Sequence, residues 1–165
     1  MMRRTVPMLL LALLVLVACA PLARTAAPLD SDASIDELSA ALAKAPHDPL
    51  LLYQRASALE RAGRTDEALA DVNLALEHEP RTADAYLLRG ALLLARESRD
   101  AALADFDAGM ALIPSDPYVL AYQAIAYARE GNTAAAGVDL ARAEQLGLPA
   151  AQAQRVRQVI AALAE

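Results

Sequence analysis

The chain is poor in the residues that most chemistry needs. It has no tryptophan, one phenylalanine, one cysteine, two histidines and six glycines in 165 residues. A single cysteine cannot close a disulfide within the chain. His47 and His78 belong to different inter-helix turns, and no cysteine or carboxylate pair stands at ligand spacing beside them, so a metal site is not expected. No glycine-rich loop follows a strand-like run, which removes the usual phosphate cradle. Serine and threonine are few and stand mostly where helices begin, where capping accounts for them. The net charge is −6 and no basic stripe appears, which argues against nucleic acid and against electrostatic adhesion to anionic lipid. No catalytic set emerges. The expectation is a protein that is not an enzyme and holds no cofactor or metal.

What the chain has is a period. Pro46, Pro80 and Pro114 recur at one constant interval. Asp48, Thr82 and Asp116 follow shortly after them, each suited to cap a helix. Pro49 and Pro117 come next, at the first helical position, where a missing N–H costs nothing. Large columns follow: Leu52, Tyr86 and Leu120; Leu59, Leu93 and Tyr127; Val72, Phe106 and Leu140. Small columns lie between them: Ala56, Gly90 and Ala124; Ala68, Ala102 and Ala136; Ala75, Gly109 and Ala143. Apolar residues three and four apart make one buried stripe per helix, and the small columns let two helices approach closely. Gly63 and Gly131 separate paired helices, where a left-handed cap needs glycine. The middle repeat has Glu97 and Ser98 there, which predicts a costlier or differently shaped turn.

These columns resemble the tetratricopeptide repeat (TPR) family, whose motif alternates large and small positions in this order and closes on proline. The resemblance covers three repeats in register, 49–82, 83–116 and 117–150. The third repeat departs at its end, with Leu148 in the proline column and Pro149 one later, and the first carries Arg55 where leucine is usual. The implied fold is all-α, a TPR-type α-solenoid of helix-turn-helix repeats. An N-terminal half repeat (34–48) is expected to cap it, opened by a capping box at Ser34–Glu37, with a helix over 34–45. A C-terminal cap helix (151–165) is expected to turn Val156, Val159, Ile160 and Leu163 inward.

The N-terminus reads differently. Arg3 and Arg4 precede an uncharged run from Thr5 to Ala23, the pattern of a secretory leader over 1–18. Leu16-Val17-Ala18-Cys19 resembles the lipobox of bacterial lipoproteins, which implies cleavage before Cys19 and acylation of that residue. An uncleaved anchor and a freely soluble product are the other readings of this run. Ala20, in place of aspartate, favours the outer membrane by resemblance to enteric bacteria. Residues 19–33 form the lipidated cysteine and a linker rich in proline, alanine and small polar residues, with a mean span of roughly 20 Å.

Two constellations stand out within the repeats. Arg55 and Arg89 share one column of the repeat, with Gln123 continuing it, and Asp71, Asp105 and Asp139 follow them in another column on the second helix. This predicts a structural bridge between the two helices of each hairpin, with a ligand-binding array as the alternative. The second constellation follows from the resemblance. In TPR proteins certain first-helix positions line a concave face. Here they include Leu50, Tyr53, Ser57, Glu60, Leu87, Ala91, Leu94, Tyr118, Ala121 and Ile125. The set is largely apolar, as contact surfaces are. Leu50, Tyr53, Leu87, Ala91, Leu94, Tyr118, Ala121 and Ile125 are the expected partner-binding residues; the alternative is that the N-terminal segment or the cap helix covers this face. Lysines and asparagines that clamp a C-terminal carboxylate in chaperone-binding members are absent from these positions. The implied function is a lipid-anchored scaffold for envelope proteins, as an assembly factor for a pilus or secretion complex. The alternative is an adaptor for an envelope protease or cell-wall hydrolase.

Overall fold

The computed structural model describes residues 31–164. Cys19, the leader and most of the linker lie outside the described residues. The elements are α1 (Ser31–Leu42), α2 (Pro49–Arg61), α3 (Thr65–His78), α4 (Ala83–Ala95), α5 (Arg99–Leu112), α6 (Pro117–Arg129), α7 (Thr133–Gln145) and α8 (Ala150–Leu163). Every regular element among the described residues is a helix, and none is long and apolar enough to cross a membrane.

Helices pair as antiparallel hairpins: α2 with α3, α4 with α5, α6 with α7. Each hairpin stacks on the next through α3–α4 and α5–α6, with α1 against α2 at one end. At the other end α8 lies against both α6 and α7. The first helices begin at Pro49, Ala83 and Pro117, so the sequence period is a spatial period. Small residues sit at the closest approaches: Ala56, Ala68, Ala102, Ala124 and Ala136 are wholly buried. One hydrophobic cluster fills the second and third hairpins and the cap, with Phe106, Leu94, Leu120 and Ile125 at its centre. A second joins Ile35 of α1 to Leu59, Val72 and Leu92.

The caps explain two of the three hairpin starts. The Asp48 carboxylate accepts from the Leu50 and Leu51 amides at 3.0 and 3.1 Å. Asp116 accepts from the Tyr118 amide at 2.9 Å. Thr82 does not cap as expected: its hydroxyl donates backwards to the Glu79 carbonyl at 3.2 Å, so the α4 amides have no side-chain cap there. A threonine hydroxyl can donate where a carboxylate can only accept, which lets it choose the preceding turn.

The turn between α4 and α5 is not differently shaped. Glu97 adopts φ 61°, beside φ 73° at Gly63 and 78° at Gly131. All three turns close with the same pair of bonds, here Glu97 N–H to the Leu94 carbonyl and Ser98 N–H to the Leu93 carbonyl. The strain is therefore carried by a side-chain-bearing residue, not relieved by a new turn.

The N-terminal helix starts earlier than expected. It begins at Ser31 and ends at Leu42, so Ser34 lies inside it and does not open it. The run from Ser31 has no glycine or proline to stop the helix, whereas Pro46 limits its far end. In the third repeat, Leu148 stands in the proline column and is buried, and Gly147 turns the chain at φ 95° into α8.

Candidate functional site

The eight residues expected on the partner-binding face divide into two groups. Leu50 is 62% exposed. Tyr53, Leu87 and Tyr118 are half-buried, with part of each side chain at the surface. Ala91, Leu94, Ala121 and Ile125 are buried, Ile125 to 1% exposure. For these four the expectation of an open face is corrected. Ala153, Val156 and Val159 of α8 belong to the same hydrophobic cluster as Ala121 and Ile125, so the cap helix fills the face beside α6. Ile160 and Leu163 pack at the edge of that cluster. Arg129 reinforces the closure by donating to the Leu94 carbonyl. The accessible face is thus confined to the N-terminal side, over α2 and the start of α4, with Tyr118 at its far edge.

Glu60 lies on the same helix as Leu50 and Tyr53, in the column that holds Leu94 and Ala128 in the later repeats. It is half-buried among groups that solvate a charge poorly. Burial pushes its carboxyl up to about 7, and the neighbouring Arg61 opposes that only in part. The expected lining thus includes a carboxyl that titrates near neutrality.

The expected bridges form in two repeats. Arg55 donates from Nε and Nη2 to Asp71 at 2.6 and 2.8 Å. Arg89 donates in the same fork to Asp105 at 2.8 and 2.7 Å. Both carboxylates are buried, Asp105 to 5% exposure, and the guanidiniums are held charged by these bonds against the cost of burial. Each arginine also reaches back: Nη1 of Arg55 donates to Ser39, and Nη1 of Arg89 to Asn73, both at 3.1 Å. The columns of a single repeat do not contain this backward contact, although Ser39 and Asn73 occupy one column across repeats, at a fixed interval before each arginine. It ties each hairpin to the element before it. In the third repeat the pattern changes: the Gln123 amide donates to Asp107 at 2.9 Å and leaves Asp139.

The two histidines come together despite their separation in sequence. Their rings lie 4.8 Å apart at the α1–α2 turn and the end of α3, and both are exposed. Among the described residues no group of three or more His, Cys, Asp or Glu side chains is placed to hold a metal ion. Two shallow cavities mark the C-terminal half. One of about 400 Å³ is lined by Asp107, Gln123, Tyr127 and Asp139. The other, about 470 Å³ and mainly apolar, runs between α7 and α8 along Leu140 and Ile160.

Comparison with known proteins gives structural neighbours only. No family model matches the chain, and no curated protein does. Among solved structures, a thermophilic TPR protein from Thermus thermophilus, TTC0263, superposes with a TM-score of 0.69 over 81% of this chain and 72% of its own, at 21% identity. A double mutant of MamA from RS-1 gives 0.65 over 71% of this chain at 16% identity; the chain spans 66% of that structure's length. The first TPR domain of human RPAP3 gives 0.53 over 82% of this chain and 96% of its own, at 23% identity. The fold is an all-α TPR-type solenoid. At these identities the likeness concerns the fold alone.

Proposed function

We propose that the chain is a non-enzymatic protein–protein interaction scaffold, tethered to the bacterial envelope through an acylated Cys19. Within that class it serves as an assembly factor for a pilus or secretion complex, facing the periplasm from the outer membrane. The observation that carries the binding role is the exposed Leu50 beside the half-buried Tyr53 and Leu87, on helices held rigid by the stack. Such a surface suits an apolar or amphipathic segment of another envelope protein. The tether rests on the Leu16–Cys19 sequence. Three acyl chains hold far more firmly than one, because each buried CH₂ adds about 0.8 kcal/mol.

Metabolic labelling with a palmitate analogue in a bacterial host tests the tether. Label is expected on the wild-type chain and not on Cys19→Ser, which should leave the membrane fraction. Undiminished label on Cys19→Ser would overturn it. Deletion in the native host tests the pathway. Loss of pilus or secretion-pore subunits from the outer membrane is the expected result. Intact assembly with accumulation of an unprocessed envelope substrate would replace it with the protease or hydrolase adaptor.

A further inference from the structure

The arginine ladder has a gap in its third rung. In the first two repeats a guanidinium sits between a neutral side chain from the preceding element and an aspartate from its own hairpin. The third rung differs at two positions independently, one in the third repeat and one in the helix before it. Gln123 replaces the arginine, and Asp107 replaces the neutral Ser39 and Asn73. Both changes remove positive charge relative to negative charge. Two carboxylates now flank a neutral amide where one carboxylate flanked a cation.

The space has changed as well. A glutamine side chain stops short of where a guanidinium would sit, and Gln123 is itself only 8% exposed, so its amide is fixed at the floor. It turns to Asp107. Among the described residues no hydrogen bond or ion pair reaches the Asp139 carboxylate. Burial raises the pKa of Asp139; Arg142, one turn on and exposed, offsets this only weakly. The cavity of about 400 Å³ opens between Asp107 and Asp139, with Met110, Leu120 and Tyr127 as apolar walls and the exposed Arg142 also on its lining. In the equivalent places Asp71 and Asp105 each grip a guanidinium through two bonds, so Asp139 stands in the repeat column whose other two members seat a guanidinium.

We propose that the pocket between Asp107 and Asp139 binds a guanidinium from outside the domain, in the position that Arg55 and Arg89 fill from within their own repeats. The flat cation would fork onto Asp139, its opposite edge would face Asp107, and its aliphatic stem would lie against Met110 and Tyr127. The site is separate from the face of Leu50 and Tyr53.

The test uses the full chain in a neutral detergent and follows the Gln123 side-chain amide by NMR. The probes are Nα-acetyl-arginine amide and the uncharged citrulline analogue of the same shape. A saturable shift with a Kd on the order of 1 mM is expected for arginine, and none for citrulline. Asp139→Asn should abolish it. Gln123→Arg, in which that reporter is lost and binding is followed instead through the backbone amide of Asp139, should show no saturable shift with arginine, because the chain then fills its own site, and should raise the melting temperature. Equal shifts with both probes, or no saturation by about 50 mM, would overturn the proposal. So would arginine binding that survives Asp139→Asn. A parallel titration with agmatine and with the peptide Ala-Arg-Ala assigns the source. Preference for the peptide identifies a partner's arginine side chain, and binding of agmatine alone identifies a small guanidine.

Discussion

A Cβ atom on Gly90 would lie 2.4 Å from Cε1 of Phe106. The two residues face each other across the α4–α5 hairpin, and Phe106 is fully buried. The other hairpins have alanine at the Gly90 position and a smaller residue opposite: Ala56 with Val72, and Ala124 with Leu140. The pair thus exchanges volume between helices while the spacing stays constant. Gly90→Ala is expected to cost about 1–3 kcal/mol, since a packed ring cannot move aside freely. Adding Phe106→Leu should return part of that loss by copying the third hairpin. Urea unfolding of the single and double variants checks this.

The Arg89–Asp105 fork is expected to stabilise the hairpin chiefly through what its loss would leave behind. Arg89→Gln would strand a buried carboxylate and should cost about 2–4 kcal/mol. Arg89→Gln combined with Asp105→Asn should cost less than Arg89→Gln alone, because no charge is then left unpaired. A double-mutant cycle by chemical denaturation measures the coupling. A wild-type melting temperature for Arg89→Gln with loss of partner capture would instead favour the ligand-array reading of the ladder.

Glu97 holds a left-handed conformation that Gly63 and Gly131 adopt without a side-chain penalty. Glu97→Gly is expected to stabilise the chain by about 1 kcal/mol at an unchanged turn geometry. The reverse change, Gly131→Glu, should destabilise by a similar amount. Thermal melts of both variants provide the comparison.

Glu60 couples stability to pH. Its folded pKa of about 7 lies above the ordinary 4.5, so the folded state binds the proton more tightly than the unfolded chain. Stability attributable to this group therefore falls as pH rises from about 4.5 through about 7, and stays lower above that. Glu60→Gln should gain about 1–2 kcal/mol at pH 8 and nothing at pH 4. Denaturation curves at the two pH values distinguish this from a gain present at both.

The sequence period made the helical hairpins legible, because a repeated large–small order has one efficient packing. The arginine–aspartate forks were legible for the same reason: Arg89 and Asp105 stand on the two helices of one hairpin, at an interval that Arg55 and Asp71 repeat. The backward contacts to Ser39 and Asn73 cross from one repeat to the element before it, so the order of residues within a repeat does not contain them. The burial of Ala121 and Ile125 depends on how far Ala153, Val156 and Val159 reach across α6. Apolar periodicity shows that α8 has a buried face but not which neighbour receives it. Thr82 looked like Asp48 and Asp116 in its column, yet its hydroxyl can also donate, and here it does. The His47–His78 contact joins two turns whose relative placement follows only from the assembled stack.

The central claim is that the open N-terminal face holds another protein. Photocrosslinking in intact cells tests it most directly, with a photoreactive residue at Leu50 and, as a buried control, at Ile125. Leu50 is expected to capture one reproducible envelope protein, a pilus or secretion-pore subunit, and Ile125 only residues of α8. Capture at Leu50 of nothing but the chain's own N-terminal segment would mean that the face is filled from within, and would contradict the scaffold proposed for it.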